Sequence, residues 1–147
     1  MGKMPKIKKN KAESIIKKTL SSKKTVTDLV NDDCFKLSLR HIDKTQGQTW
    51  YQWQDSHILA DAIETISNLC HKPLIEQWSK SFTNYGDFPP KNKTEFTHPS
   101  HVPEDAQWAR IHINGKQCLA GHVVNNTFYL VFLDENHRFW ISDLKHT

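Results

Sequence analysis

Residues 108–141 constrain this chain more than any other stretch, because they alternate strand-forming side chains with tight turn signals. Asn114-Gly115 and Asn125-Asn126 supply residues that tolerate the positive φ of a type I′ hairpin turn. Residues 134–137, beginning with an aspartate, suit a four-residue turn. The stretch therefore predicts four antiparallel strands joined by three tight turns.

The turns also fix a register, and the register sorts the side chains onto two faces. A two-residue turn at Asn114-Gly115 pairs Ile111 with Cys118, and one at Asn125-Asn126 pairs His122 with Tyr129. Successive strand residues point to opposite faces. The face predicted to pack on helices holds Leu119, Val123, Phe128, Leu130, Phe132, Phe139 and Ile141. The face predicted to stay open holds Ile111, Cys118, Ala120, His122, Tyr129, Val131 and Trp140.

The region before the hairpins predicts one further strand and two helices. Residues 35–41 alternate apolar and polar side chains, which indicates a half-buried strand. Residues 59–70 carry apolar side chains at helical spacing, and Pro73 suits the first turn of a second helix. The predicted fold is α+β: an antiparallel sheet of about five strands, two main helices on one face, and a basic N-terminal arm. Residues 85–103 are expected to form a long polar connection that is either flexible or functional.

Charge is concentrated at the N-terminus. Nine lysines and one acid give residues 1–24 a charge of +8, so the whole-chain value of +4 leaves −4 for residues 25–147. We therefore expect a flexible or partner-ordered arm over residues 1–24 and a single α+β domain over residues 25–147. Such an arm can neutralise phosphates without reading sequence, although a solvated terminus is the simpler interpretation. The arm residues proposed to contact nucleic acid or a partner are Lys8, Lys9, Lys17 and Lys18.

Composition narrows the classes of function. Cys34, Cys70 and Cys118 are odd in number and far apart, which favours a reducing cytoplasm over a disulfide framework. No run approaches the roughly 18–20 apolar residues of a membrane span. The five glycines form no phosphate-binding loop, so we expect no nucleotide cofactor.

The predicted open face is the first candidate site. It would combine an imidazole that titrates near neutrality with cations that attract phosphates and rings that stack on unpaired bases. His122, Arg40 and Tyr129 are the candidate catalytic residues, and Lys36, Trp140 and Lys116 are candidate contacts to nucleic acid or a partner. Two alternatives remain open: a half-exposed face stabilised by cross-strand pairs, and a protein interface built on the apolar residues.

Six side chains are of types that can bind a metal ion: His98, His101, His112, His122, Asp134 and His137. The three-residue spacings from His98 to His101 and from Asp134 to His137 are ligand-like, but neither matches a known metal motif. We therefore expect no metal, with the histidines in loops and Asp134 accepting a hydrogen bond in its turn.

Two resemblances bear on function. The segment from Asn126 to Trp140 resembles small bacterial and mobile-element proteins with an F-Y-x-x-[FW]-x-D-x-x-H segment, here Phe128, Tyr129, Phe132, Asp134 and His137. That resemblance implies a compact, cytosolic, accessory-gene protein and no particular activity. The order of elements (strand, two helices, antiparallel strands) is similar to that of RelE-type toxins, which cleave ribosome-bound mRNA. Those toxins use basic and aromatic side chains on an open sheet face.

The sequence thus supports two hypotheses of function. The first is a small cytoplasmic interaction protein of toxin–antitoxin or phage-defence type, which docks a cognate protein or a nucleic acid through the open sheet face and the arm. The alternative is a RelE-like, ribosome-dependent mRNA endoribonuclease, in which Arg40 or Lys36 steadies the phosphate and His122 exchanges protons.

Overall fold

The computed structural model describes residues 23–142. The chain divides into two units, Met1–Asp32 and Asp33–Thr147. In the first unit a short helix, α1 (Val26–Asn31), begins with a capping box: the Thr25 hydroxyl accepts from the Asp28 N–H, and the Asp28 carboxylate accepts from the Thr25 N–H. The helix buries none of its residues. Lys8, Lys9, Lys17 and Lys18, the predicted arm contacts, lie outside the described residues.

The second unit contains two further α-helices, α2 (Trp50–Asp55) and α3 (Leu59–Leu69). Thr49 and Gln52 form the capping box of α2, a helix that the sequence reasoning missed. The predicted second main helix after Pro73 is wrong. Only a 3-10 turn (Leu74–Gln77) forms there, because the Ser79 hydroxyl then accepts from the Ser81 and Phe82 N–H groups and redirects the chain into a strand.

Five strands form one sheet within the described residues, in the order β1-β5-β4-β3-β2. Their bounds are β1 (Lys36–Ser38), β2 (Phe82–Gly86), β3 (Gln107–His112), β4 (Cys118–Val124) and β5 (Thr127–Asp134). β1 pairs with β5 in parallel and the other neighbours are antiparallel, so the sheet is mixed. The α+β class with about five strands is confirmed. The predicted strand at residues 139–141 does not form, and β2 takes the fifth place.

The registers explain why the predicted faces are partly exchanged. The Asn125-Asn126 turn was predicted correctly, since His122 pairs with Tyr129. The Asn114 turn was not: the Ile113 N–H donates to the Gln117 carbonyl, so the loop has three residues and His112, not Ile111, pairs with Cys118. A bulge between Ala120 and Gly121 shifts the β4–β5 register again. Each one-residue shift moves side chains to the other face.

One face of the sheet packs on the helices. Its buried core comprises Phe35, Trp53, Ile58, Ala62, Ile66, Leu74, Phe82, Ala109, Ile111, Leu119, Phe128, Leu130 and Leu133. Ile111 therefore belongs to this face, contrary to the prediction. α3 contributes Ala62 and Ile66 as buried residues, while Ile63 is half exposed.

The opposite face is also buried, so the prediction of an open sheet face is wrong. Its core comprises Val102, Trp108, Ala120, Val131, Phe132 and Phe139, with Tyr85, Phe88, Phe96, Ala106 and Trp140 packed against it. Residues 87–106 and 135–141 cover it, and we call them the covering segments. They are joined by hydrogen bonds from Glu95 N–H to the Arg138 carbonyl and from Ile141 N–H to the Lys93 carbonyl. The covering segments could not be predicted from the sequence, because their few aromatic residues stand among prolines and polar side chains without a periodic pattern.

Among residues 23–142, no helix is long and apolar enough to cross a membrane.

Candidate functional site

Four aromatic side chains from separate elements meet at one end of the covered face, and we call them the histidine cluster: His41, His101, His122 and Tyr129. His122 on β4 and Tyr129 on β5 are cross-strand partners. β1 runs parallel to β5 with Ser38 beside Tyr129, so the turn that follows β1 carries His41 to the same place. His101 comes from the first covering segment.

The cluster is held by a hydrogen bond and by ring stacking. His41 Nδ1 lies 2.8 Å from His122 Nε2. The rings of His122 and Tyr129 stack at 4.9 Å between centroids and 8° between planes, and His41 stacks on Tyr129 at 4.7 Å. His101 Nε2 lies 2.8 Å from the carbonyl oxygen of His41, which fixes the fourth ring beside the pair. These contacts determine which ring nitrogens remain available to exchange a proton with a bound molecule.

The two hydrogen-bonded histidines differ in exposure. His122 is 2% exposed, and its Nδ1 is buried with no hydrogen-bond partner among the described residues. Burial, reinforced by the charges of His41, His98 and His101, lowers the pKa of His122 to about 4. His122 is therefore neutral at physiological pH. His41 is half-buried, and burial followed by the charges of His101 and Arg40 lowers its pKa below the ordinary value.

His41 is consequently the member of the pair suited to proton transfer. Its Nδ1 is occupied by His122, so Nε2 is the nitrogen left for a substrate. A neutral imidazole beside a cation can act as a general base near neutrality. Arg40, exposed and adjacent in the chain, supplies that cation. His101 is exposed and provides a second imidazole at 6.0 Å from the His41 ring.

An apolar cavity lies next along the chain from His41. Its volume is about 200 Å³. The lining residues include Ile42, Trp50, Tyr51, Val131 and Leu133. Tyr51 is 79% exposed, so one ring at this rim is open to solvent. The cavity lining includes Ile42, the residue after His41, and Val131, two residues after Tyr129, so the cavity adjoins the histidine cluster along two chain segments.

The structure brings together only part of the predicted site. His122 and Tyr129 are in contact, and Arg40 precedes His41 in the chain. Trp140 instead stacks on Tyr85 at 4.4 Å, so that face of its ring is occupied. Lys116 lies in the β3–β4 turn, at the opposite end of β4 from His122. The exposed Lys36 donates to the Cys34 carbonyl at 3.2 Å.

Two members of the cluster were missed by sequence reasoning. His41 was assigned to the same side as Phe35 and Leu37, on the assumption that the strand continues to residue 41. The strand ends at Ser38, and the turn then frees the imidazole. His101 was assigned to a loop, which is correct, but no local pattern shows that the loop returns to the sheet.

A second polar cluster lies at the other end of the covered face. His112, Cys118 and His137 each offer one ligand atom, and these atoms all lie within 4.8 Å of one another. This set of side chains could hold a metal ion, in contrast to the expectation of none.

No family model, no curated protein and no solved structure matches the chain. The site geometry therefore supplies the argument about function.

Proposed function

We propose that this protein is an acid–base endoribonuclease that cleaves RNA through attack of a ribose 2′-hydroxyl on the adjacent phosphate. The observation that supports the proposal is the hydrogen bond between a half-buried His41 and a buried, neutral His122, with Arg40 next to His41 in the chain and the His101 ring beside it. General acid–base catalysis of this kind contributes typically ~10²–10⁴-fold to a rate.

Each proton transfer and bond change of this reaction can be assigned to one of these side chains. His41 Nε2 takes the proton of the 2′-hydroxyl while the 2′-oxygen forms a bond to phosphorus. The bond from phosphorus to the 5′-oxygen breaks, and His101 in its protonated form donates a proton to that leaving oxygen. The Arg40 guanidinium offsets the charge that develops on the non-bridging oxygens. The products are a 2′,3′-cyclic phosphate and a 5′-hydroxyl.

His122 serves in this mechanism as a positioning residue. For His41 Nε2 to accept a proton, the His41 Nδ1–H must donate to His122 Nε2, 2.8 Å away. Because burial lowers the pKa of His122 to about 4, its imidazole is neutral at physiological pH and can accept that hydrogen bond there. Tyr129 stacks on both rings and fixes their planes.

The apolar cavity beside His41 would take the base that flanks the cleaved bond. Tyr51 is open to solvent, and base–aromatic stacking is worth about 1–3 kcal/mol per base with little sequence preference. The proposal in its specific form is a RelE-like toxin of the cytoplasm acting on ribosome-bound mRNA. Residues 25–147 carry a net charge of −4, so attraction to mRNA or to a ribosome would depend on the basic segment of residues 1–24, which carries +8.

The experiment is cleavage of a defined RNA in two assays: the RNA alone in the presence of a chelator, and the RNA in a translating extract without chelator. We expect 5′-hydroxyl products, no cleavage when the attacking 2′-hydroxyl is absent, and a loss of at least about 100-fold in H41A. H71A is the matched control, since His71 is exposed in the loop after α3. Equal activity of H41A and the unaltered protein, or no cleavage in either assay, would overturn the proposal.

The pH profile gives a sharper prediction at Arg40. The charge of Arg40 helps to hold the pKa of His41 below its ordinary value, so R40Q should raise that pKa. A base with a raised pKa is protonated up to a higher pH, and the acidic limb of kcat/KM should therefore move upward. K44Q should leave the limb in place, because Lys44 is not among the groups that shift the His41 pKa. An unmoved limb in R40Q would show that His41 is not the titrating base.

A second candidate function is favoured by one observation in the first unit. α1 exposes its apolar side chains: Val26 is 77% exposed, Leu29 54% and Val30 73%. A short amphipathic helix next to a lysine-rich segment suits the docking of a protein or nucleic-acid partner, as in a toxin–antitoxin or phage-defence interaction protein. If no partner or nucleic acid copurifies at low salt, this candidate fails. If deletion of residues 1–24 leaves nucleic-acid retention unchanged, the arm has no part in it.

A further inference from the structure

The second polar cluster is assembled by strand pairing and by a turn. His112 on β3 and Cys118 on β4 are direct cross-strand partners, and Cys118 is also opposite Asp134 at the end of β5. The turn after β5 carries His137, whose ring lies 5.0 Å from the ring of His112. Three chain segments thus bring two imidazoles and one thiol to one place.

The potential ligand atoms have few other partners. His112 Nε2 is buried and has no hydrogen-bond partner within residues 23–142. Cys118 is fully buried, and its S–H donates to the Lys116 carbonyl at 3.3 Å, a weak interaction. Buried polar atoms in native proteins normally have a hydrogen-bond partner. An unpaired imidazole nitrogen beside a thiol therefore suggests a ligand at this position.

The turn that carries His137 is held by a buried carboxylate. Asp134 is 1% exposed and accepts from the Arg138 N–H at 2.9 Å and the Phe139 N–H at 2.8 Å. His137 itself has a φ of 61°, in the left-handed region that few non-glycine residues adopt. Such strained positions cluster at ligand sites, where the surrounding structure fixes them.

We propose that His112, Cys118 and His137 bind a zinc ion, with a water or a small anion as the fourth ligand. One thiolate and two imidazoles are a ligand set that zinc favours, whereas magnesium and calcium require oxygen ligands. With bonds of about 2.0–2.3 Å, tetrahedral zinc places its ligand atoms roughly 3.3–3.8 Å apart. Because the present separations are no larger than 4.8 Å, binding would need a contraction of at most about 1.0–1.5 Å, supplied by small side-chain rotations.

Arg110 indicates the nature of the fourth ligand. Its guanidinium is 8% exposed, its charge acts on all three ligands, and its Nε and Nη1 have no hydrogen-bond partner among the residues described. A buried cation beside a dication is unfavourable unless negative charge offsets it. The Cys118 thiolate and the Asp134 carboxylate supply part of that charge, and a hydroxide or a small anion facing Arg110 would supply the rest.

The test is titration of chelator-treated full-length protein with cobalt(II), followed by displacement with zinc. We expect one cobalt per chain, with thiolate-to-cobalt charge-transfer absorption and tetrahedral ligand-field bands that zinc abolishes. C118S should lose the charge-transfer band. H137A, at a half-exposed position that leaves the core intact, should weaken binding by more than about tenfold, since even second-shell partners contribute 10–100-fold.

C70S and H71A are the matched controls, because both residues are exposed and neither belongs to the cluster. Zinc should also raise the unfolding temperature of the unaltered protein and leave that of H137A unchanged, with circular dichroism confirming that each variant is folded. Absence of binding, retention of the charge-transfer band in C118S, or equal affinity in H137A and H71A would overturn the zinc site. None of these readouts depends on RNA cleavage.

Discussion

At the scale of single residues, His122 should make the stability of the fold depend on pH. Its folded-state pKa is about 4, below the ordinary 6.5, so the unfolded chain binds the extra proton first as pH falls. The stability contributed by the neutral imidazole is complete above the unfolded-state value and is lost progressively toward the folded-state value. Between about pH 7.5 and about pH 5 the loss should be about 2 kcal/mol.

Urea unfolding at the two pH values measures this loss. H122F removes the titrating group while keeping a ring to stack on Tyr129, so the difference between the two proteins reports His122 together with its hydrogen bond to His41. His112 and His137 also have lowered pKa values but lie outside the histidine cluster, so they affect both proteins alike. A pH dependence in H122F as steep as that of the unaltered protein would contradict the assignment.

At the scale of elements, the caps of the two short helices should contribute differently to the free energy of unfolding. Thr49 caps α2, which buries Trp53 completely, whereas Thr25 caps α1, which buries nothing. T49A should reduce the free energy of unfolding of the second unit by about 1 kcal/mol. T25A should leave the unfolding midpoint of that unit within error, although the hydrogen bonds it removes are of the same kind. Equal shifts in denaturant titrations would contradict the prediction.

The pairing of β4 with β5 shows which parts of the fold local sequence signals can predict. The β4–β5 hairpin could be predicted, with the register of the half next to the turn, because the Asn125-Asn126 turn is a local signal. The bulge beside Gly121 could not, because no turn signal marks it; the close approach of the strands there is visible only in the structure, where a Cβ on Gly121 would lie 2.1 Å from the Tyr129 carbonyl oxygen. That bulge alone puts Phe132 on the face opposite to the predicted one.

The same distinction between local and long-range contacts applies to the residues of the candidate site. His122 and Tyr129 are neighbours through a hairpin and could be paired from sequence. His41 and His101 reach them through the parallel β1–β5 pairing and through a covering segment, both long-range contacts without a periodic pattern. The proposed zinc site was not predicted either: His112 and His137 are among the six side chains weighed as metal ligands, Cys118 is not, and no local motif connects the three.

At the scale of the whole second unit, the sheet is buried on both faces, and the two cores share β3, β4 and β5. Phe128 lies in one core and Phe139 in the other, and both are fully buried. The ring centroid of Phe139, in the second covering segment, lies 5.5 Å from that of Trp108 on β3 and 5.6 Å from that of Phe88 in the first covering segment. Phe139 therefore joins both covering segments to the sheet. If these segments are part of one cooperative unit, F139A should be as costly as F128A.

Each substitution should therefore lower the free energy of unfolding by about 3–5 kcal/mol, the usual cost of removing a buried phenylalanine. Tryptophan fluorescence and far-ultraviolet circular dichroism should report a single coincident transition in both variants. A fluorescence transition that precedes the loss of circular dichroism in F139A alone would show that the covering segments unfold separately. In that case His101 could leave His41 without unfolding of the sheet, and the histidine cluster would open and close as the covering segments move.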